Sequence, residues 1–263
     1  MNQPLFDVDQ PPRPKTLLSS NSNLRPHGIL NWTIPALVTV LPDGRTIRTC
    51  PSSGVCARAC YARAGAYMFS NVLAKHQQNL AYVLDEPDRW AEHMVREIRG
   101  KRAARVDCAV CARSEFPVKV RIHDAGDFFS DPYTLLWRQV IEAVPQVLFY
   151  AYTKEVDRVR RLLEADPLPN CKIVFSFGGT QDAALDPGVD RVCDVFPTVD
   201  ALTAAGYHDQ AACDLLAVVG PTPVGMGANN IRHLIKRQGD RSFRTWQAET
   251  DRRHAQQRQS RTE

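Results

Sequence analysis

The sequence contains no apolar run close to the roughly 18 residues needed to cross a membrane. It lacks the P-loop, HExxH and GxSxG patterns, and it has neither a clean GxGxxG motif nor an internal repeat. Its first segment, MNQPLFDVD, is acidic and contains proline, whereas a secretory signal is basic and apolar. These absences exclude several hydrolase and nucleotide-binding classes, and they predict a cytoplasmic protein with no membrane partner.

Eight cysteines are present in a chain that does not need disulfides to fold. With 263 residues, of which 44% are apolar and 24% charged, the chain can bury a core of its own. In a reducing compartment, thiols serve as metal ligands, catalytic groups or small buried side chains more often than as disulfides. Their grouping along the chain therefore indicates which of them carry chemistry.

Charge and proline content divide the chain into three predicted parts. Residues 1–27 contain five prolines and a Ser/Asn-rich stretch, which favours an irregular N-terminal arm. Residues 28–237 are predicted to form a single α/β domain, and residues 238–263 a basic tail that is disordered or weakly helical. From residue 232 onward, nine Lys or Arg face four Asp or Glu, so any attraction to nucleic acid is expected at this end.

Alternation of strand-like and helix-like segments predicts the fold. A β-branched run over residues 32–41 is expected to form a first strand or a hairpin, followed by helices over 61–84 and 88–102. Apolar runs at 118–123, 147–153 and 172–177 resemble buried strands of a parallel sheet, and a last strand is expected at 215–220. We therefore expect an α/β fold, most simply an incomplete (β/α) TIM-like barrel with a cysteine-rich loop after the first strand.

Three thiols lie within eleven residues, at Cys50, Cys56 and Cys60. A helix beginning near Cys60 would direct its free N–H groups toward thiolates or the sulfides of an iron–sulfur cluster. The C-x5-C-x3-C spacing indicates a metal, and the Gly and Ser residues of the loop with the helix predicted after it favour a [4Fe–4S] cluster with one iron left open. Zinc, with a fourth ligand from His123, Cys108 or Cys111, remains an alternative, as do three thiols without a metal.

Polar side chains follow each predicted central strand, where ligands of parallel α/β folds bind. The first strand is followed by His123, Asp124 and Asp127, which are candidates for proton transfer. The second is followed by Lys154, a candidate for binding an anionic ligand group. The third is followed by Gly178 and Gly179, which allow a ligand to approach the backbone closely.

The remaining cysteines give weaker signals. Cys108 and Cys111 form a C-x-x-C pair in a predicted surface connection, which indicates either a chance pair or a separate zinc or redox site. Cys193 and Cys213 are single cysteines that could supply a fourth ligand or belong to a second site.

Four motifs occur together in this chain, namely SSNSNL at 19–24, CPSSGVCARACYAR at 50–63, RIHDAGDFFS at 121–130 and FYAYTK at 149–154. In combination they resemble those of the phage gene product 88 family. A more distant resemblance is to radical S-adenosylmethionine enzymes, whose partial barrel carries a three-cysteine loop that holds a [4Fe–4S] cluster. That second resemblance implies Cys50, Cys56 and Cys60 as the ligands, with Tyr61, Lys154, Gly178 and Gly179 near S-adenosylmethionine.

The leading hypothesis is a radical S-adenosylmethionine-like enzyme that acts on a nucleotide or nucleic acid and requires an electron donor. His123 with Asp124 or Asp127 would handle protons in that reaction. Two alternatives stay open, namely a zinc-stabilised nucleic-acid-binding protein without catalysis and a metal-dependent hydrolase with Asp127 as the base.

Overall fold

A seven-stranded parallel sheet forms the centre of the protein, seen in a computed structural model that describes residues 13–104, 106, 108–228 and 231–260. The strand order is β1-β4-β5-β6-β7-β9-β8, and every pair of neighbours is parallel. A separate antiparallel hairpin of β2 and β3 precedes the cysteine loop. The strands are β1 Ile29–Trp32, β2 Val38–Val40, β3 Thr46–Arg48, β4 Val118–Ile122, β5 Val147–Thr153, β6 Cys171–Ser176, β7 Val192–Phe196, β8 His208–Asp209 and β9 Val224–Gly227.

Helices connect most of these strands, as a parallel sheet requires. Short 3₁₀ turns add to them, including Val55–Arg58 and Tyr61–Arg63 in the cysteine loop. The α-helices of the described residues are α1 Ser70–Asp85, α2 Pro87–Arg99, α3 Ala109–Ala112, α4 Asp131–Ala143, α5 Val156–Val159, α6 Val199–Ala204, α7 Leu216–Val219, α8 Arg232–Gln238 and α9 Phe243–Gln259.

The predicted α/β class with a parallel sheet is confirmed, and the predicted TIM-like barrel is not. The sheet is open, because β1 and β8 lie at its two edges and are not paired with each other in the described residues. The strands of the sheet follow chain order from β1 to β7. The last two are exchanged, because β9 lies between β7 and the edge strand β8. The molecule therefore presents one continuous carboxyl edge without closing into a ring.

Burial on both faces explains why the central strands read as unbroken apolar runs. Along β5, Phe149 and Ala151 pack into the larger core under α2 and α4, whereas Leu148 and Tyr150 face a second core. That second core contains residues of α7 and the segment around Cys111 rather than a layer of long helices. Irregular segments thus cover one face of the sheet, which brings loop residues close to the strand ends.

Several element boundaries differ from the sequence prediction. Of the strand or hairpin expected over 32–41, the hairpin is confirmed as β2 and β3, but the run itself is split between the end of β1 and β2 because Pro35 and the positive φ of Leu37 interrupt it. The first long helix starts at Ser70, so the residues after Cys60 form 3₁₀ turns, and the Ala62 amide at the start of the first turn points at the Cys60 thiol. The expected late strand at 215–220 is the short helix α7.

Both terminal segments pack onto the domain where the structure describes them. Ser19 forms a β-bridge with Asn31, and the amides of Leu17 and Leu18 donate to the Glu97 carboxylate. The tail, for which disorder or weak helicity was expected, forms α9, whose first half buries Phe243, Trp246, Gln247 and Thr250. Residues 1–12 and 261–263 lie outside the described part of the chain. Among the described helices, none has the length and apolarity needed to cross a membrane.

Candidate functional site

A cavity of about 860 Å³ opens at the carboxyl edge of the sheet. The cysteine loop forms one wall, and the segments after β4 and β5, together with the last residue of β6, form the floor. The structure brings together most of the residues singled out from the sequence, since the cavity is lined by Cys50, Cys56, Cys60, Tyr61, His123, Asp124, Asp127 and Lys154.

The cysteine loop is held from several sides by hydrogen bonds to its backbone. The amide of Ser52 donates to the Glu155 carboxylate at 2.7 Å, and that of Cys56 donates to the carbonyl of Gly178 at 3.1 Å. The amide of Val55 donates to Gln247 Oε1, in α9, at 2.7 Å. Backbone groups that are otherwise unpaired in an irregular loop are thus satisfied, which fixes the loop against the sheet.

The three thiols face the same cavity. Among the described residues, the group of ligand atoms compact enough to surround a metal ion contains none of these three thiols. Burial, with a smaller contribution from the charge of Cys56, raises the pKa of Cys60 to about 11, and burial also raises the pKa of Cys50 strongly. Without a cation these buried thiols stay protonated, whereas a bound metal would stabilise their thiolates.

Lys154 supplies a buried positive charge beside the thiols. Its Nζ donates to Ser176 Oγ at 2.7 Å. Burial by itself lowers the pKa of this ammonium, but the nearby thiols of Cys56 and Cys193 and the carboxylate of Asp127 outweigh burial and raise the pKa. The cavity therefore keeps a fixed cation that can balance anionic sulfur or an anionic ligand.

His123 is fully enclosed at the cavity floor and is oriented by Tyr133 rather than by the neighbouring carboxylates. Trp32 Nε1 donates to the Tyr133 hydroxyl at 2.9 Å, and this hydroxyl lies 2.8 Å from His123 Nε2. Because the hydroxyl already accepts from Trp32, we assign its proton to the bond with Nε2, which places the imidazole proton on Nδ1. Nδ1 is buried without a hydrogen-bond partner in the described residues, and burial lowers the pKa of His123 to about 3.

Asp124 and Tyr61 form a polar wall of the cavity. The carboxylate of Asp124 accepts from Tyr67 at 2.6 Å and from Asn21 at 3.1 Å, and it lies 3.7 Å from Arg121. The Tyr61 hydroxyl donates to the backbone carbonyl of Asp124, and the rings of Tyr61 and Tyr67 pack edge to face. Tyr61 therefore presents its ring to the cavity while its polar end is already bonded.

Asp127 has the bonding pattern of a structural anchor. One carboxylate oxygen accepts from Thr153 Oγ1 at 2.6 Å and from the Phe128 amide at 2.8 Å, and the other accepts from the Lys154 amide at 3.0 Å. Burial, followed by the charge of Glu155, raises the pKa of Asp127 to about 6. These bonds tie the loop after β4 to the end of β5, which favours anchoring over the predicted role in proton transfer.

Gly178 and Gly179 lie behind the cysteine loop and are not among the residues that line the cavity. Both amides donate to the Asp182 carboxylate, at 2.8 and 2.9 Å. A Cβ at Gly179 would lie 2.9 Å from the carbonyl oxygen of Ser52, and one at Gly178 would lie 2.9 Å from Phe243. Their small size therefore serves close packing of the loop and α9, and the expected role in binding a cofactor finds no support in this arrangement.

Asp214 forms a polar network on the opposite side of the cavity that the sequence did not indicate. Tyr150 and Tyr152 both donate to its carboxylate, the latter at 3.0 Å, and Arg121 lies 3.4 Å away. The Arg121 guanidinium also stacks over the Tyr152 ring at 4.8 Å from the centroid, and its Nε is buried without a partner in the described residues. The positions of Arg121 in the 121–130 motif and of Tyr150 and Tyr152 in the 149–154 motif could have drawn attention to this group.

The profile of the family described as "Gene product 88" matches residues 14–258, which is most of the chain. The chain belongs to this family. It is similar to the "Gene 88 protein" of Mycobacterium phage L5, with 30% identity over 141 residues, covering 52% of this chain and 54% of the relative. The similarity to the "Gene 88 protein" of Mycobacterium phage D29 has the same identity and coverage.

The chain thus spans about half the length of the curated relatives it matches. No solved structure matches it. The expected resemblance to the phage family is confirmed, whereas the resemblance to radical S-adenosylmethionine enzymes has no support from these comparisons.

The structure also places the remaining cysteines. Cys193 is buried in β7, outside the cysteine loop. Cys108, Cys111 and Cys213 lie together with His27, a residue that the sequence analysis did not single out. Nothing in the sequence connects His27 to the three cysteines, because 81 residues or more separate it from each of them.

Proposed function

We propose that this member of the Gene product 88 family binds a [4Fe–4S] cluster on Cys50, Cys56 and Cys60 and is an enzyme whose substrate or cosubstrate enters the adjoining cavity. The observation that carries the proposal is that all three thiols line one cavity together with Lys154.

The spacing of the thiols separates a cluster from a single zinc ion. Zinc binds thiolates at about 2.3 Å in a tetrahedron, which puts ligand sulfurs about 3.8 Å apart. Cluster cysteines bind different irons and therefore lie further apart than the ligands of one ion. The compact group of ligand atoms found among the described residues contains none of these three thiols, and we therefore propose a cluster rather than a single zinc ion for them.

The surroundings of the thiols suit an anionic centre. Lys154 is held beside Cys56 with a raised pKa, so its positive charge is retained. The loop amides are engaged with Glu155, Gly178 and Gln247, and this rigid support holds the ligands in position before a metal binds.

Two donors without partners support ligand binding in the cavity. His123 Nδ1 and Arg121 Nε are buried, each belongs to a residue that lines the cavity, and neither has a hydrogen-bond partner in the described residues. Buried donors have hydrogen-bond partners in most folded proteins. Two donors without partners in one cavity therefore indicate that an acceptor is missing. A carboxylate or phosphate oxygen of a ligand is the acceptor that a guanidinium favours.

S-adenosylmethionine, or a nucleotide of similar size, is the ligand class that we propose. The cavity volume lies within the 300–1,000 Å³ range that small-molecule sites usually occupy. Tyr61 offers a ring face, Lys154 and Arg121 offer cations, and Asp214 offers an acceptor. Gly178 and Gly179 are not part of the proposed ligand-binding site. The C-x5-C-x3-C spacing of the thiols also differs from the C-x3-C-x2-C spacing of radical S-adenosylmethionine enzymes.

A cluster with an open iron would supply one electron to a ligand bound at that iron, so the proposal requires an external electron donor. The protein's own residues would bind and orient the ligand. In this arrangement His123 is a neutral hydrogen-bond donor through Nδ1, not a general base, because burial disfavours the imidazolium. Lys154 would hold an anionic group of the ligand next to the thiols.

Anaerobic purification with visible spectroscopy and ligand-binding measurements tests the proposal. The wild-type protein should be brown and should bind S-adenosylmethionine in equilibrium dialysis, and Cys56→Ala should lose both properties. Cys171→Ser, at the start of β6 and remote from the loop, serves as the matched control and should retain both. A colourless wild-type protein would contradict the cluster, and a brown protein that does not bind S-adenosylmethionine would remove that ligand from the proposal.

A further inference from the structure

We propose a second metal site, a structural zinc bound by His27, Cys108, Cys111 and Cys213. The three sulfurs and one ring nitrogen of His27 all lie within 4.8 Å of one another. Three cysteines and one histidine are a standard ligand set for a closed structural zinc site. This site is separate from the cysteine loop and does not depend on the function proposed for it.

The sulfur positions fit a common metal better than a disulfide. Cys111 Sγ and Cys213 Sγ are 3.3 Å apart. A disulfide requires about 2.05 Å, whereas two thiolates on one tetrahedral zinc are about 3.8 Å apart. A small outward movement of the two sulfurs would accommodate the ion, while a disulfide would need the sulfurs to approach by more than an ångström.

The local structure around Cys108 and Cys111 presents both thiols in one direction. Cys108 is the N-cap of α3, and the amide of Cys111 points to the Cys108 sulfur at 3.5 Å. A C-x-x-C turn of this kind supplies two zinc ligands from a single short segment. Cys111 belongs to the core that covers the second face of the sheet, so this pair is anchored by packing.

The other two ligands, His27 and Cys213, come from parts of the chain that are distant in sequence from Cys108 and Cys111. His27 ends the 3₁₀ turn Arg25–His27, and its Nδ1 is buried without a hydrogen-bond partner in the described residues. Cys213 lies in the segment between β8 and α7 and is almost completely buried. One ring nitrogen of His27 and the three sulfurs all lie within 4.8 Å of one another, which is the arrangement that a single bound metal ion requires.

Four protein ligands leave no open position, so the proposed zinc is structural rather than catalytic. It would join the N-terminal arm, the α3 turn and the segment before α7. Asp214 directly follows Cys213 and holds Tyr150, Tyr152 and Arg121 at the cavity. The zinc would therefore fix one wall of the cavity, which His27 and Asp214 both line.

Metal analysis of full-length variants tests this site. Wild-type protein and Cys56→Ala should each contain about one zinc per chain, and Cys111→Ser/Cys213→Ser should contain less than a tenth of that amount. His27→Ala should bind zinc at least tenfold more weakly in competition with a chromogenic chelator. Cys171→Ser, again the matched control, should retain the zinc.

Cobalt substitution of the Cys56→Ala protein covers the case in which the double variant does not fold. Cobalt should give the intense visible bands of tetrahedral thiolate coordination, and zinc should displace it. Zinc content unchanged in the double variant would overturn the proposal. So would a wild-type protein that contains no zinc and whose Cys111 and Cys213 are found as a disulfide by alkylation and mass spectrometry.

Discussion

His123 has an unusual backbone for a residue with a side chain, with φ of 65°. Such a conformation costs energy in most residues and is found mainly where surrounding contacts determine it. Here the ring is held by Tyr133 and packs edge to face on Phe128 with ring centroids 4.8 Å apart. The strained loop turns the chain sharply after β4 and thereby brings Asp124 and Asp127 to the same cavity.

The low pKa of His123 predicts how the free energy of unfolding changes as the pH falls. The unfolded chain takes up this proton near pH 6.5, whereas the folded protein resists it down to about pH 3. Stability contributed by the neutral imidazole is therefore present above pH 6.5 and is lost as the pH falls toward 3. His123→Asn tolerates positive φ and does not titrate, so it should remove this dependence.

Urea unfolding of the two proteins between pH 7 and pH 4 measures the effect. The stability of the wild type relative to His123→Asn should fall with decreasing pH, by up to about 1.4 kcal/mol per pH unit. A constant difference across this range would show that His123 titrates normally in the folded protein.

Gly178 allows a second residue-scale prediction with a matched control. Gly178 and Gly206 both have positive φ, at 95° and 76°, so alanine strains the backbone at both. Only at Gly178 would the new Cβ meet another residue, because nothing lies within 4 Å at Gly206. Gly178→Ala should therefore destabilise the protein by about 1–3 kcal/mol more than Gly206→Ala.

The same pair of variants reports on the cysteine loop. The carbonyl of Gly178 accepts from the Cys56 amide, so displacement at Gly178 should also lower the iron content. Thermal unfolding and iron analysis of both variants provide the measurement. Equal stability and equal iron in the two proteins would mean that the Gly178 contact does not support the loop.

At the scale of elements, the largest departure from expectation is α9. Its sequence is polar and basic, which is why disorder was expected, and its apolar stripe is limited to Phe243 and Trp246 at the start. These two side chains pack with Val55 and Ala59 of the cysteine loop in a separate small core. A stripe of two aromatics gives little periodic signal, so the sequence alone could not show that this helix supports the site.

Gln247 connects α9 to the cysteine loop through a single hydrogen bond, to the Val55 amide. Gln247→Ala leaves a buried backbone N–H without a partner, which should cost about 1–3 kcal/mol. Gln256→Ala, on the exposed half of the same helix, is the control and should change stability by less than about 0.5 kcal/mol. Chemical denaturation of both variants compares them, and equal stability would show that the Gln247 hydrogen bond does not support the loop.

Strand positions were predicted well because the signal was local. The runs at 118–123, 147–153 and 172–177 are β4, β5 and β6 within one or two residues. Since parallel strands end at one edge, the sequence also indicated that His123, Asp124 and Lys154 lie together, as the structure shows them. The meeting of His27 with Cys213 depends on loops that cover the sheet, and no local pattern encodes that contact.

At the scale of the whole molecule, the alternation of strands and helices determined the α/β class but not the closure of the sheet. Closure depends on strand tilt and stagger, which individual segments do not reveal. The final strands reverse their order, with β9 inside β8, and this places the segment containing Asp214 beside the cavity. The open edge is therefore part of how the site is built.

If the basic C-terminal end binds nucleic acid, it should be possible to remove this binding without disturbing the rest of the fold. The part of α9 after Thr250 is exposed and carries Arg252 and Arg253, whereas the buried contacts with the loop end at Thr250. Removing residues 251–263 should weaken duplex DNA binding and make it less salt-dependent, with the slope falling by about 0.9 for each phosphate that the protein no longer neutralises. Stability and iron content should stay unchanged, whereas a deletion starting at residue 238 would also remove Gln247 and disturb the loop. Unchanged affinity after removal of 251–263 would exclude this helix end as the DNA-binding surface.

The central claim is that Cys50, Cys56 and Cys60 hold an iron–sulfur cluster. The most direct measurement is the iron and acid-labile sulfide content of anaerobically purified wild-type protein and Cys56→Ala, with zinc determined in the same samples. We predict about four iron and four sulfide per chain in the wild type, as a [4Fe–4S] cluster requires, and a loss of both in Cys56→Ala with zinc retained. Wild-type protein that contains zinc but neither iron nor sulfide, or iron that is unaffected by Cys56→Ala, would contradict the account.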